Sequence, residues 1–239
     1  MMKFLLIFAL SFVSCRAQAQ SVVKFNFYFS SSDFKSISAN NVADFSSLSS
    51  KYYDPSKKNE IYIHGWNEGP SDIGPSTVIN AYLTRKSEFN VIVVDWGSLA
   101  KNLNFFEVVT KVNRVSDATR EILTQLQQRG FSIGNTHMVG FSFGVLIASR
   151  VGRYFKTQKA MPFPRITGLE PPNFFNTIEL VYFFSNIERL GKNDATFVDV
   201  IHTNVDGFGG KIARGHVDFW PNGGSVQNGC RYVSLNEFK

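Results

Sequence analysis

Five residues, Gly140-Phe141-Ser142-Phe143-Gly144, have the spacing of a serine nucleophile on a sharp turn. A strand-like apolar run precedes them, and the run 145–149 that follows contains no helix breaker. A serine between a strand and a helix projects its hydroxyl above the sheet, and flanking glycines avoid crowding in so tight a turn. The pattern predicts that Ser142 is a nucleophile, while the five residues alone fit equally well a turn whose serine caps the next helix.

Two other segments would bring polar groups to the same place. His64 ends a strand-like run and is followed by Gly65-Trp66, and Glu170 ends the run 164–170. Because ligands of parallel sheets bind at the carboxyl ends of the strands, the N–H groups of Trp66 and Phe143 would form an oxyanion hole beside the serine. An acid that follows the serine in the chain suits a Ser-acid-His triad, and the alternative for Glu170 is an exposed acid at a strand end.

The elements that must position these residues alternate between strands and helices. Continuous or alternating apolar runs predict strands, and apolar residues at helical spacing predict helices. The predicted strands are 22–29, 60–64, 90–95, the run before the serine turn, 164–170 and 195–202, and the predicted helices are 75–88, 105–129 and the segment from the turn to about 155. The serine-rich segment 30–50 is predicted to be a loop. This order predicts an α/β fold with a mostly parallel sheet flanked by helices.

Composition and charge narrow the class of partner. The 239 residues are 44% hydrophobic and 18% charged, which is typical of a globular protein with a full core. The net charge of +6 favours acidic partners or anionic membrane surfaces. The lysines and arginines are scattered without interleaved aromatic residues, so we expect no nucleic-acid partner.

The amino terminus has the pattern of a secretory signal. A basic start at Met1–Lys3 precedes the apolar run Phe4–Val13, and Ala17-Gln18-Ala19 supplies small residues for cleavage. The apolar run is too short to span a bilayer, which needs about 20 residues. We therefore expect a signal peptide at 1–19 and a secreted, extracellular domain at 20–239.

Cysteine usage is unusual for a secreted protein. Of the two cysteines, Cys15 falls within the predicted signal peptide, so Cys230 is left without a partner in the mature chain. In an oxidising compartment a lone cysteine is either a free thiol or bonded to another molecule. We expect a disulfide partner or self-association through Cys230 as alternatives to a free thiol.

Taken together, the segments resemble the animal lipase family that contains pancreatic lipase and the insect and venom phospholipases A1. The similarity runs in family order from about residue 60 to Cys230. The family's usual serine turn is Gly-His-Ser-Leu-Gly, with Phe141 and Phe143 in place of His and Leu here. The other matching segments are Ile63–Trp66, Val94–Trp96, Ile166–Pro171 with Glu170 in place of Asp, Phe197–Asn204 and Gly215–Gly224.

The resemblance implies an α/β-hydrolase that cleaves carboxylic ester bonds in triacylglycerols or phospholipids in lipid catabolism, in the manner of a phospholipase A1. Ser142 would be the nucleophile, Glu170 the acid, and Trp66 and Phe143 the oxyanion donors. The expected partner is a lipid substrate or a lipid–water interface, and no metal or organic cofactor is implied.

The sequence also departs from the family. The family's catalytic histidine follows a lid and a cysteine that pairs with the one matching Cys230, and the sequence reaches Lys239 without either residue. We expect His202 and His216 to be structural, this form to be a shortened or incomplete one, and its activity to be impaired. The alternative is a non-catalytic lipid-binding or yolk-type carrier. Another serine hydrolase, such as a peptidase, is disfavoured by the lipase-like segment 202–224.

Overall fold

A computed structural model describes residues 22–102, 104–173 and 189–230, without the side chains of residues 105 and 106. An eight-stranded sheet runs in the order β2-β1-β4-β3-β5-β6-β7-β8. The strands are β1 Lys24–Ser30, β2 Asp33–Ile37, β3 Lys58–Ile63, β4 Phe89–Asp95, β5 Thr136–Phe141, β6 Arg165–Leu169, β7 Phe197–Ile201 and β8 Val217–Phe219. Neighbouring strands from β4 to β8 are parallel, whereas β1 pairs antiparallel with both β2 and β4.

Helices connect the parallel strands. They are α1 Ile73–Leu83, α2 Gly97–Ala100, α3 Phe105–Gln127 and α4 Phe143–Gln158, with short 3₁₀ helices at Val42–Ser47, Ile133–Asn135, Lys192–Asp194 and Pro221–Gly224. The first turn of α3 is capped by the Asn104 side chain, which accepts a hydrogen bond of 3.3 Å from the Glu107 N–H. Helix α4 begins directly after Ser142, so its amino terminus lies at the serine turn.

The core lies on both faces of the central strands. Along β3, Ile61 and Ile63 join a large cluster that includes α3 and α4, while Tyr62 points to a smaller cluster that includes Ile79 of α1. Alternate residues of a strand face opposite sides, so both faces of β3 are buried. Each fully buried aliphatic or aromatic side chain contributes about 1.5–3 kcal/mol, and this burial fixes the strand ends that carry the site.

The predicted α/β fold with a mostly parallel sheet is confirmed, and two details of the prediction were wrong. Segment 30–50 is not only loop, because it contains β2 and the 3₁₀ helix Val42–Ser47. Strand β8 was not predicted at all. Both are short edge strands whose side chains, apart from Ile37, are exposed or half-buried, so neither has the apolar alternation that reveals a strand in a sequence.

The predicted signal peptide at 1–19, with Cys15, lies outside the described residues. It stays a prediction, as does the division of the chain at residue 20. Among the described helices, none is both long enough and apolar enough to cross a membrane.

Candidate active site

Four strand ends meet at one edge of the sheet. The register places Ile63 of β3 opposite Gly140 of β5, and Leu169 of β6 opposite both Phe141 of β5 and Ile201 of β7. Because these strands are parallel, the residues that follow them lie along the same carboxyl edge. The structure thus brings the predicted oxyanion turn, Ser142 and Glu170 to that edge.

Ser142 occupies a backbone conformation that residues with a side chain rarely adopt. Its φ is 50° and its ψ is −117°, between the end of β5 and the first residue of α4. The Ser142 N–H donates to the Leu169 carbonyl at 3.0 Å, and its carbonyl accepts from the Val145 N–H at 2.9 Å. A conformation of this kind costs about 1–3 kcal/mol and persists only when the surroundings enforce it.

The two flanking glycines explain how the surroundings enforce this turn. A Cβ added to Gly140 would lie 2.5 Å from the Gly144 carbonyl oxygen, and one added to Gly144 would overlap the Ile63 carbonyl oxygen. Strand β5, helix α4 and the end of β3 therefore pack backbone against backbone. Any larger residue at either position would separate the elements that hold Ser142.

The Gly65-Trp66 turn lies directly against the serine. A Cβ built on Gly65 would be 3.1 Å from the Ser142 Cβ. The Gly65 N–H donates to the Glu68 carboxylate at 2.9 Å, and the indole N–H of Trp66 donates to the Asn102 carbonyl at 2.8 Å. Burial raises the pKa of Glu68, partly offset by the hydrogen bond from Gly65. These contacts fix a short turn beside the nucleophile.

The residues predicted to supply the oxyanion N–H groups flank this contact. Phe143 follows Ser142 as the first residue of α4 and is fully buried, while Trp66 follows Gly65 and is partly buried. Two backbone N–H groups near a serine hydroxyl, one at a helix amino terminus, suit the stabilisation of a developing oxyanion.

His64 supports the turn from behind. Its ring is fully buried and stacks on Trp96 with ring centroids 5.4 Å apart. Nδ1 lies 3.0 Å from the Gly65 carbonyl oxygen, and Nε2 accepts from the Trp96 N–H at 3.3 Å. A neutral ring with its proton on Nδ1 satisfies both contacts. His64 is therefore part of the scaffold beneath the turn.

Glu170 has one carboxylate oxygen that accepts hydrogen bonds and one that is buried without a partner among the described residues. Its backbone also has a positive φ, 49°, just after the end of β6. Oε2 accepts from the Thr203 N–H at 2.5 Å and from the Thr203 hydroxyl. Oε1 is buried beside Gly209 and has no hydrogen-bond partner among the described residues. The two donors from Thr203 hold the carboxylate in place through Oε2. The unpaired Oε1 could then accept a hydrogen bond from an N–H donor such as a histidine ring and orient it.

His202 is committed to a structural network. Its ring is fully buried and stacks on Trp220 with centroids 4.5 Å apart. Nε2 lies 2.8 Å from Asp218 Oδ1 and Nδ1 lies 2.7 Å from the Gly210 carbonyl oxygen. Since both nitrogens face acceptors, neither can take a proton from Ser142.

The other two histidines lie nearer the opposite ends of their strands. His216 is exposed and its Nδ1 accepts from the Val198 N–H at 3.0 Å, near the start of β7. His137, near the start of β5, lies 2.8 Å from Glu60 and 2.8 Å from Thr167. The sequence contains four histidines, and within the described residues none of them is hydrogen-bonded to Ser142. The structural roles expected for His202 and His216 agree with these contacts.

Two further predictions concern cysteine and metal chemistry. Cys230 is exposed and forms no disulfide within the described residues. The same part of the chain has no group of three or more His, Cys, Asp or Glu side chains placed to hold a metal ion.

Several residues of this edge were not predicted. Thr203 anchors Glu170, Glu68 braces the Gly65 turn, and Asp218 holds His202. Thr203 and Asp218 lie in segments whose types match the lipase family, but their partners depend on the pairing of β6, β7 and β8. The only sequence signal for Glu68 is its position three residues after Gly65.

The strand order and the strained serine between β5 and α4 define the fold class as an α/β-hydrolase. More narrowly, the chain belongs to the Lipase family, whose family model matches residues 11–238. The resemblance seen in the sequence is therefore confirmed.

The chain is similar to three named relatives. It is 34% identical to Lipase member H-A of Xenopus laevis, over 75% of the chain and 37% of that protein. It is 35% identical to Lipase member H of Mus musculus, over 73% of the chain and 37% of that protein. It is 33% identical to Phospholipase A1 member A of Rattus norvegicus, over 79% of the chain and 39% of that protein. The chain thus spans less than half the length of these relatives.

Solved structures with lower identity also match. The ydeN gene product of B. subtilis is 13% identical with a TM-score of 0.47, covering 76% of this chain and 94% of that one. A phospholipase/carboxylesterase from Dyadobacter fermentans DSM 18053 is 14% identical with a TM-score of 0.43, covering 76% and 86%.

Proposed function

We propose that this protein hydrolyses carboxylic ester bonds of lipids, triacylglycerols or phospholipids, as a secreted enzyme of lipid catabolism. The observation that carries the proposal is the strained Ser142 turn, with Gly65 packed against it and Glu170 on the neighbouring strand end. The family and the relatives named lipase and phospholipase A1 support lipid esters as the substrate class.

In this proposal the Ser142 hydroxyl oxygen attacks the ester carbonyl carbon. The hydroxyl proton passes through solvent water to the leaving oxygen, so that the bond to that oxygen breaks and the alcohol leaves. The N–H groups of Trp66 and Phe143 stabilise the oxyanion that forms, and each such donor contributes about 10²–10³ in turnover. Water then cleaves the acyl group from Ser142. Glu170 has an unpaired Oε1 that suits the orientation of a base, and no histidine of the described residues is hydrogen-bonded to it.

The rate of attack by Ser142 depends on a base that removes the proton from its hydroxyl. None of the four histidines is hydrogen-bonded to Ser142 in the described residues, so we expect the hydroxyl to be weakly activated. Loss of a triad histidine costs about a millionfold in turnover, and an oxyanion hole with substrate binding leaves roughly a thousandfold over water. Low but serine-dependent reactivity is therefore the expected property of this chain.

Two associated proposals rest on sequence patterns. The basic and apolar amino terminus supports removal of residues 1–19 and export of the domain from residue 20 onward. The exposed Cys230 supports a reactive thiol or a disulfide with another molecule.

A non-catalytic lipid-binding protein is the second candidate. The observation that favours it is the engagement of all four histidines elsewhere, which leaves Ser142 without a described base. The two candidates differ in whether Ser142 reacts at all.

Labelling with an active-site fluorophosphonate separates them. We expect slow covalent labelling of the wild-type chain, complete loss in Ser142→Ala, and no change in Ser76→Ala. Ser76 is a matched control because its half-buried hydroxyl donates to the Ile73 carbonyl within α1. The rate is followed by mass spectrometry with circular dichroism as the folding check.

Two outcomes would change the conclusion. A folded wild-type chain that binds lipid vesicles but never labels would establish the carrier candidate. Labelling as fast as that of a complete lipase would show that a base acts on Ser142, and His202→Ala and His216→Ala would then identify it.

A further inference from the structure

A small surface pocket lies beside the carboxyl edge, on the far side of Glu170. The pocket is shallow and partly open to solvent, with about 20 Å³ of space for water inside it, so a larger ligand would sit at its mouth. One wall is the Pro171–Asn173 segment that follows Glu170, and the other is the segment from Gly210 to Arg214. The walls are tied together, because the Gly210 N–H donates to the Pro171 carbonyl at 2.9 Å and the Asn173 N–H donates to the Phe208 carbonyl at 2.7 Å.

Positive charge is concentrated in this pocket. Arg189, Lys211 and Arg214 all line it, and no acidic residue is among the described residues of its lining. Lys211 is paired with Asp206 at 2.7 Å. Arg214 forms no ion pair among the described residues, since only its backbone N–H reaches a carboxylate, at Asp218.

Burial disfavours the charged form of both arginines. Burial, and to a smaller extent the Arg214 guanidinium, lower the pKa of Arg189, and burial lowers the pKa of Arg214 despite the opposing effect of Asp218. Both side chains still carry their charge at neutral pH. A bound anion would offset the cost of holding these partly buried cations, so the pocket favours an anion.

The shape of the rim adds a second property. Pro172 and Ile212 present apolar surface next to the cations, and Ile212 is 62% exposed. An inorganic anion gains nothing from that surface, whereas a phosphoryl group attached to a lipid presents both an anion and apolar chain.

We propose that this pocket binds the phosphoryl group of a lipid headgroup, with Arg214 and Arg189 as its guanidinium donors. Guanidinium groups match phosphate oxygens in pairs of parallel hydrogen bonds. The pocket follows Glu170 directly along the chain, so the bound headgroup would lie next to the ester site. The inference deepens the proposed function, because it selects phospholipids over triacylglycerols.

The test measures binding in the Ser142→Ala background, so that hydrolysis is not needed. Binding of inorganic phosphate is measured by calorimetry. Binding to vesicles is measured by sedimentation, with vesicles of phosphatidylcholine plus phosphatidic acid compared with phosphate-free galactolipid vesicles. We expect Arg214→Gln to weaken binding to the phospholipid vesicles roughly tenfold and to leave galactolipid binding unchanged. Arg129→Gln is the matched control, because it removes an exposed arginine just beyond α3, at the opposite edge of the sheet.

The other possible results would overturn the proposal or change the ligand of the pocket. Equal losses in Arg214→Gln and Arg129→Gln, or no loss in either, would overturn the site. If Arg214→Gln weakened binding of inorganic phosphate but not binding to the phospholipid vesicles, the pocket would be a site for free phosphate and the lipid headgroup would be excluded as its ligand. If Arg214→Gln does not fold, Lys211→Gln, on an exposed residue of the same pocket, replaces it with the same criteria.

The proposed function and this inference fail separately. Arg214-dependent vesicle binding without any Ser142 labelling would retain the anion site and reject the esterase. Serine-dependent ester cleavage that is unaffected by Arg214→Gln, with unchanged vesicle binding, would retain the esterase and reject the anion site.

Discussion

The two halves of the carboxyl edge are held together by different means. In the nucleophile half, around Ser142, the ends of β3 and β5 and the start of α4 touch through backbone atoms, because Gly140 and Gly144 leave no room for side chains. Around Glu170, the ends of β6, β7 and β8 are linked by side chains, through the Thr203–Glu170 and His202–Asp218 contacts.

This difference predicts how each half tolerates change. A backbone contact cannot be relaxed by rotating a side chain, so an added methyl group must move whole elements. A side-chain hydrogen bond can be lost singly at a cost of about 1–3 kcal/mol for each buried group left unpaired. A single substitution in the nucleophile half should therefore cause a large loss of stability, whereas substitutions in the acid half, around Glu170, should cause smaller and separate losses.

The largest expected effect is that of Gly144→Ala. Its new Cβ would overlap the Ile63 carbonyl oxygen, so β3 and α4 must separate. We expect a loss of more than about 3 kcal/mol in the free energy of unfolding, measured by urea denaturation.

Gly134→Ala is the matched control for this substitution. Gly134 lies in the 3₁₀ helix Ile133–Asn135, and a Cβ there would have nothing within 4 Å. Its effect should stay within about 0.5 kcal/mol. A Gly144→Ala protein as stable as this control would show that the backbone packing of the nucleophile half is not rigid.

An intermediate effect is expected for Asp218→Ala. The carboxylate accepts from His202 Nε2 and from the N–H groups of Arg214 and Gly215. Its removal leaves these buried or half-buried groups unpaired, and we expect a loss of about 2–4 kcal/mol in urea denaturation.

Asp206→Ala provides the comparison for that loss. Asp206 is an exposed acid paired with Lys211 and Ser225, and such surface pairs contribute about 0–1 kcal/mol. If the two variants lose equal stability, the His202–Asp218 network does not hold the acid half together.

The smallest effect is expected for Thr203→Val. It removes the hydroxyl that donates to Glu170 but keeps the backbone N–H that donates to the same oxygen. We expect a loss of about 1 kcal/mol in stability. Because no described histidine links Glu170 to Ser142, we expect the slow fluorophosphonate reaction at Ser142 to be unchanged.

Thr203→Ser restores the hydroxyl and should recover the stability lost in Thr203→Val. A Thr203→Ser protein as unstable as Thr203→Val would show that the hydrogen bond to Glu170 is not the source of the loss. Slower labelling of Ser142 in Thr203→Val, with recovery in Thr203→Ser, would contradict the expectation and show that Glu170 acts on Ser142 through a base.

Much of the nucleophile half could be predicted from the sequence. The glycine spacing around Ser142, the buried strands before it and the Gly65-Trp66 turn are local patterns, and local patterns survive without knowledge of the tertiary structure. The orientation of the parallel sheet also followed from the alternation of strands and helices.

Less of the acid half could be predicted from the sequence, and the reason is physical. The contacts of Glu170 and His202 join residues that are far apart in the chain and depend on the register of β6, β7 and β8. Strand β8 has three residues with exposed or half-exposed side chains, so its pattern does not reveal it. Likewise, the sequence does not show that Arg189 and Arg214 line the same pocket, because only the fold brings them together.

The order of strands has a consequence for how the chain folds. Strands β3 and β5 are neighbours in the sheet, yet β4 and α3 lie between them in the chain, and β4 pairs on the other side of β3. Closing this long loop costs chain entropy before the contact between Gly65 and Ser142 repays it. The strained serine turn is therefore expected to form late, so a ribosome-bound chain that ends before β5 exposes the apolar edge of β3 to solvent and to other chains.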